Sequence, residues 1–190
     1  MQVQKEHVRK RILSSAQEEF LSYGYKDVSI RQIAKKANTT AGNIYSYFPS
    51  KDELFKQVIY PVLNHLEKLL KFDADDNFSK PDITYITSEI SKLFLSYKKE
   101  FMILLTGSTG SAFEGTKIKL TSLTADRFKK EFIPLLDDKN IDDNLSDILA
   151  VSFVEGLISI FNISHNDDKK LEILLKQYID VFFSSVKNKL

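Results

Sequence analysis

The chain has 190 residues, 43% hydrophobic and 28% charged, with a net charge of +1, a composition able to bury a core in one or two compact units. There is no cysteine, which excludes a disulfide framework, a thiolate zinc site and a cysteine nucleophile. Six glycines and four prolines are few for a chain built on tight β-turns and suit long helices.

Residues 5 to 22 predict the first helix, with Val8, Ile12, Leu13, Ala16, Phe20 and Leu21 on one stripe, Lys5, Arg9, Lys10 and Arg11 at its start, and Gly24 ending it. The N-terminal MQVQKEHVRKR lacks the apolar stretch of a signal peptide. No later run is read as approaching the roughly 20 apolar residues that span a bilayer, so no membrane partner is expected and the location expected is cytoplasmic.

Ser29 followed by Gln32 is a capping box, and Val28 with Ile33 has the spacing of a hydrophobic staple, so a second helix starts at Ser29. Ile30, Ile33, Ala34 and Ala37 recur at helical spacing while Arg31, Lys35 and Lys36 point elsewhere. Asn38-Thr39-Thr40 stops that run, because Asn tolerates the left-handed conformation and Thr offers a capping oxygen to the next helix. A short helix from Thr40 to Tyr47 then carries Asn43, Tyr45, Ser46 and Tyr47 around one aliphatic anchor, Ile44, with no charged residue. Ser50 and Glu53 form a second capping box, which puts Lys51 in a first turn where the helix dipole disfavours a cation unless an anion is near. Two helices joined by such a turn fit a DNA-reading helix-turn-helix and an ordinary helical hairpin equally well.

The helix from Ser50 to about Phe72 is interrupted by Pro61, where a kink is expected. Asp73 to Asn77 reads as an acidic break, and Ser79-Lys80-Pro81-Asp82 as the start of the next helix. Ile83, Ile86, Ile90, Leu93, Phe94 and Tyr97 continue at helical spacing to Lys99, and Phe101 to Leu105 is wholly apolar. Residues 107 to 115, GSTGSAFEG, approach a phosphate-binding loop, but Thr116 stands between Gly115 and Lys117 and no βα alternation surrounds them; a flexible loop is expected. Thr116 to Leu136 predicts a helix with Pro134 near its end, and residues 137 to 144 a polar loop whose aspartates lack calcium-loop spacing. Helices at 145–163 and 169–187 close the chain; the first is apolar almost all round and wants covering on two sides, Gly156 permits a close approach, and Leu171, Leu174, Leu175, Tyr178, Phe182 and Val186 form a stripe on the second.

The segment Val28–Glu53, with Ile12, Leu13, Ala16, Phe20, Gly24 and Tyr25 before it, closely resembles the N-terminal domain of TetR-family transcriptional regulators. The resemblance covers roughly residues 7 to 56 and rests on Ile33-Ala34, Gly42, Ile44-Tyr45-Ser46-Tyr47-Phe48 and Pro49-Ser50-Lys51-Asp52-Glu53-Leu54. Asn38 stands where that family usually has Gly, and Ala41 where it often has a longer polar side chain. The resemblance implies an all-α protein, with a three-helix helix-turn-helix domain over 1–50 and a helical regulatory core over 51–190. It implies a repressor bound to a double-stranded DNA operator and released by a small-molecule effector. Matched position by position, the DNA contacts implied are Ser29, Arg31, Thr40, Ala41, Gly42, Tyr45, Ser46, Tyr47 and Lys51, with Tyr45 and Lys51 on the backbone and Arg31, Ala41 and Ser46 nearer to base edges.

The resemblance also implies that the last two helices form a homodimer, through Phe153, Leu157, Phe161, Leu175, Tyr178 and Phe182. The effector is expected to be mainly apolar, lined by Phe94, Tyr97, Phe101, Phe128, Phe132 and Phe153. Charge fits a phosphate-facing first domain: residues 1–60 carry ten Lys/Arg against six Asp/Glu, residues 61–190 seventeen against twenty. His7, His65 and His165 are scattered, so no metal, cofactor or hydrolytic site is expected and the protein is not expected to be an enzyme. A helical protein-interaction module is the other class that the apolar closing helices allow.

Overall fold

The computed structural model describes residues 2–71, 83–136, 140–164 and 167–184. Among them every regular element is helical: α1 (Gln2–Asp27), α2 (Ile30–Lys36), α3 (Ala41–Tyr47), α4 (Lys51–Lys71), α5 (Ile83–Thr106), α6 (Thr116–Arg127), a π-helical turn at Phe128–Phe132, a 3-10 turn at Ile133–Leu135, α7 (Leu145–Ser164) and α8 (Asp168–Phe182). The expected break at 73–77, the helix start at 79–82, Asp137, Asp138, Lys139, His165 and the tail of the last expected helix from 185 lie outside the described residues.

Two compact units divide the chain, one of Met1–Leu70 with Lys99–Lys117, the other of Lys71–Lys98 with Ile118–Leu190. The first is larger than the 1–50 domain the sequence suggested. It keeps the start of α4 because Leu54, Phe55, Val58, Ile59 and Val62 are buried, and it takes in Phe101 to Leu105, all five of them buried. Ile12, Ala16 and Phe20 of α1 are fully buried with Ile33 of α2 and Ile44 of α3, which is the stripe that helical periodicity requires. The Phe20 ring meets Phe55 edge-on at 5.0 Å, and Phe55 meets Phe113 at 6.1 Å. Gln17 Nε2 donates at 2.8 Å to Oε1 of Glu100, whose carboxyl burial pushes above its usual range.

Gly24 ends the regular part of α1 at φ 75°, ψ 167°, a region essentially reserved for glycine. The chain then turns so that Tyr25 N donates to Gly107 O at 2.7 Å. A side chain at Gly107 would stand 3.1 Å from Ile103 O and 3.2 Å from Phe20 O, so the bare backbone is what lets this segment approach α1. Residues 107–115, expected as a flexible loop, are instead a run of bonded turns: Ser111 N donates to Ser108 O at 3.0 Å, Glu114 N to Ser111 O at 3.1 Å, and Gly110 N to Glu114 Oε2 at 3.0 Å. α4 runs through Pro61 as one helix, and α5 departs from helical geometry at Tyr97 (φ −133°, ψ 31°).

In the second unit the expected single helix from Thr116 to Leu136 changes character at Phe128. Pro134 has no N–H to continue the ladder, and Ile133 N donates to Phe128 O in the wider π pattern. Phe128 and Phe132 pack 5.5 Å apart, and Phe153 lies 5.7 Å from Phe128, 4.9 Å from Phe182 and 5.7 Å from Phe183, with Tyr178 stacked on it at 5.8 Å. Leu171, Leu175 and Ile179 of α8 are buried, as are Ala150, Val154, Leu157 and Ile158 of α7. Lys98 pairs with Asp168 at the start of α8. Against expectation, α7 with its 20 residues is long and apolar enough to cross a membrane, as a core helix can also be, and its buried face packs on α8.

The dimer residues expected from the sequence fall into two groups within the single chain. Phe153, Leu157 and Leu175 are already buried within the single chain, and Phe161, Tyr178 and Phe182 are half-buried. The apolar side chains left in solvent are Ile148, Val151 and Ile163 on α7 and Ile173 and Val181 on α8. An all-round apolar helix reads alike on both faces in sequence, whereas packing has committed one face to the chain's own core.

Candidate nucleic-acid interface

α2 is set by both of its ends. Ser29 N donates to Gln32 Oε1 at 2.7 Å while Gln32 N donates back to Ser29 Oγ at 3.3 Å, completing the capping box. At the other end Asn38 sits at φ 46°, Asn38 N donates to Lys35 O at 3.2 Å, and Thr39 N to Ala34 O at 2.9 Å, the paired bonds of a Schellman stop. Asn38 therefore fills the left-handed position that most often calls for glycine, and the turn closes without it.

α3 starts on Thr40, whose Oγ1 accepts from Asn43 N at 3.1 Å. Asn43 Nδ2 donates to Thr39 Oγ1 at 2.7 Å, and Ser46 Oγ donates to Asn43 O at 2.7 Å. These bonds stiffen the solvent side of the turn and helix. Only Ile44 of α3 is buried; Gly42, Asn43, Tyr45 and Ser46 are exposed, and Ala41 and Tyr47 are half-buried. Thr40, Ser29 and Arg31 are exposed, and Lys51 is half-buried at the start of α4. At that start Glu53 N donates to Ser50 Oγ at 3.0 Å, and the Glu53 carboxylate accepts from Gln57 Nε2 at 3.2 Å.

The basic residues sort into two kinds, which the sequence did not separate. Lys36 pairs with Glu19 at 2.9 Å and Glu18 at 3.0 Å, and those bonds, Glu19 first, raise its pKa. Arg9 lies over the Phe48 ring at 5.4 Å and donates to Gln57 Oε1 at 3.0 Å, so this member of the basic start of α1 braces α4. Arg31, Lys35, Lys10 and Arg11 are exposed. Lys51 Nζ stands over the Tyr25 ring at 4.1 Å, and the Tyr25 hydroxyl donates to Asp52 Oδ1 at 2.8 Å. Burial holds Lys51 below the usual lysine range, and burial together with the Asp52 bond pushes the Tyr25 hydroxyl up to about 12. Tyr25 and Asp52 drew no functional reading from sequence; a Tyr just past a helix-ending Gly gives no sign of which helix start it will meet.

The residues expected to line an effector site divide. Phe128, Phe132 and Phe153 come together in the second unit, Phe94 and Tyr97 belong to that unit too, and Phe101 is buried in the first. Among the described residues no group of three or more His, Cys, Asp or Glu is placed to hold a metal ion.

The family model described as "Bacterial regulatory proteins, tetR family" matches residues 12–58, the span from mid-α1 through α2, α3 and the first turns of α4. Over that span, about a quarter of its length, the chain is similar to the TetR family. That family consists of transcriptional regulators, a non-enzymatic class. The chain is 35% identical over 60 residues to an uncharacterized HTH-type transcriptional regulator, YhgD of Bacillus subtilis, which is 32% of this chain and 31% of the relative. The match thus spans about a third of that relative's length. In structure the chain is similar to NalD, the secondary repressor of the MexAB-OprM multidrug efflux pump in Pseudomonas aeruginosa, with TM-score 0.61 and 19% identity over 96% of this chain and 99% of that one. It is also similar to a TetR-like transcriptional regulator from Rhodococcus sp. RHA1, with TM-score 0.62 and 19% identity over 93% of both chains. At those identities the likeness is one of fold: an N-terminal helix-turn-helix domain followed by a helical C-terminal domain.

Proposed function

We propose that the chain is a homodimeric, sequence-specific DNA-binding repressor, released from its operator by a small and largely apolar ligand. The observation that carries the DNA reading is the division of α3's surface: one residue, Ile44, goes to the core, and Gly42, Asn43, Tyr45 and Ser46 face solvent on a helix held by caps at its start. A helix so little committed to the fold, beside exposed Arg31 and the cation of Lys51, suits insertion into a major groove. Ser29, Arg31, Thr40, Ala41, Gly42, Tyr45, Ser46, Tyr47 and Lys51 are the proposed contacts. Tyr45 and Lys51 take phosphates; Arg31, Ala41 and Ser46 lie nearer to base edges.

The homodimer is proposed to use the exposed apolar residues Ile148, Val151, Ile163, Ile173 and Val181 rather than the buried set, with the half-buried Phe161, Tyr178 and Phe182 at its margin. A dimer would present two reading heads to half-sites about one helical turn apart. The aromatic interior of the second unit supports an apolar effector, and the protein would act in the cytoplasm, where its operator is. Fluorescence anisotropy with DNA from upstream of its own gene, against a scrambled duplex, tests the reading; equal affinity for both refutes it. Lys51→Ala should weaken binding to all sequences alike and lower the salt slope by about one unit.

A further inference from the structure

Lys51 occupies a place that three terms make unfavourable for a cation. It lies in the first turn of α4, where the helix dipole opposes positive charge. Burial lowers its pKa, against the pull of Asp52 and Asp27. A lysine stem also has rotamer freedom to lose when it is held in one geometry. What opposes these is the face of the Tyr25 ring, 4.1 Å below the ammonium, whose quadrupole attracts a cation.

Tyr25 is itself anchored at four points. Its backbone N–H donates to Gly107 O at 2.7 Å, its hydroxyl donates to Asp52 Oδ1 at 2.8 Å, its plane meets Phe55 edge-on at 5.1 Å, and it stacks on Phe20 at 6.1 Å. Two of these anchors belong to the hydrophobic interior, one to α4 and one to the turn that follows α5. An ammonium resting on a fixed aromatic plate keeps N–H donors free on the side away from the ring.

We propose that Tyr25 is a positioning residue for DNA binding: its ring holds the Lys51 ammonium in the orientation that meets a backbone phosphate, so that Tyr25 sets operator affinity without touching DNA. This rests on the reading of Lys51 as a phosphate contact. The same residue ties that contact to Gly107 through its backbone, so a shift of the 107–115 turns would reach Lys51 through one side chain.

The test is a double-mutant cycle in operator affinity, with Tyr25→Leu made in the wild-type chain and in Lys51→Met. Loss of the ring should weaken operator binding roughly 2- to 5-fold per reading head in the wild-type chain and leave Lys51→Met nearly unchanged. Tyr25→Phe, which keeps the ring, should stay within about twofold of wild type on the same ground. Equal losses from Tyr25→Leu in both backgrounds would mean a general loosening of the domain and would overturn the inference while leaving Lys51 as a contact. Failure of the wild-type chain to prefer upstream DNA would overturn the function and the inference together. Should Tyr25→Leu not fold, the wild-type protein decides by NMR: the Lys51 ε-methylene protons should be shifted upfield by the ring current and remain so when operator is added. Their return to ordinary shifts in the complex would show that the ammonium leaves the ring to bind, against the proposal.

Discussion

Gly156 lies where Tyr178 crosses α7, and a methyl group there has no room. A Cβ on that residue would stand 2.2 Å from Tyr178 Oη, 2.4 Å from Cζ and 2.9 Å from Cε2. The tyrosine cannot swing aside without loss, since it stacks on Phe153 and its hydroxyl donates to Ser152 O at 2.8 Å and Phe153 O at 3.3 Å. In Gly156→Ala, overpacking costs about 1–3 kcal/mol, and releasing the hydroxyl about 0.5–1.5 kcal/mol. The better helix propensity of Ala returns about 1 kcal/mol. The net is a destabilisation of about 0.5–3.5 kcal/mol, or roughly 2–4 °C in Tm for each kcal/mol at this chain length. Urea unfolding at fixed protein concentration measures it. The discriminating experiment repeats the substitution in Tyr178→Ala: with the ring gone only propensity remains, so Gly156→Ala should then stabilise by about 0.5–1 kcal/mol. A destabilisation of the same size in both backgrounds, or a gain in the wild-type chain, would refute the steric account.

Gly24→Ala should cost about 1–3 kcal/mol, because φ 75° with ψ 167° is strained for any side chain even where space exists; thermal unfolding of the variant checks it. Burial pushes the Tyr178 hydroxyl from 10.0 up to about 12, so the folded state favours the neutral phenol; that stability is present below pH 10.0 and is lost as pH rises through about 12. Tyr178→Phe should therefore lose less stability than wild type across that window, measured by urea titration at fixed pH values. Val181, 74% exposed on α8, lies outside the chain's own core, so Val181→Asp should leave the subunit folded by circular dichroism while shifting it from dimer to monomer in sedimentation. A folded dimer from that variant would remove Val181 from the interface.

The local signals in this sequence were strong where one short stretch holds both partners of an interaction. Ser29 and Gln32 are three residues apart, so the capping box was readable and is formed; Asn38 stood alone as a turn residue and takes the left-handed geometry that its side chain tolerates. Helical periodicity likewise marked Ile12, Ala16, Phe20, Ile33 and Ile44 as core, because the face a helix buries is set by its 3.6-residue repeat. What only the tertiary structure decided are contacts between residues far apart in the chain. The carbonyl that receives Tyr25 N belongs to Gly107, Lys36 is neutralised by Glu18 and Glu19 of α1, and Arg9 is engaged by Phe48 and Gln57. Composition shows that a lysine is present and periodicity which way it leaves its helix; whether it is offered to a phosphate or already paired depends on which helix packs beside it. The same limit applies to α7, where an apolar residue looks alike whether it meets the chain's own aromatic core, as Phe153 does, or faces outward, as Ile148 does.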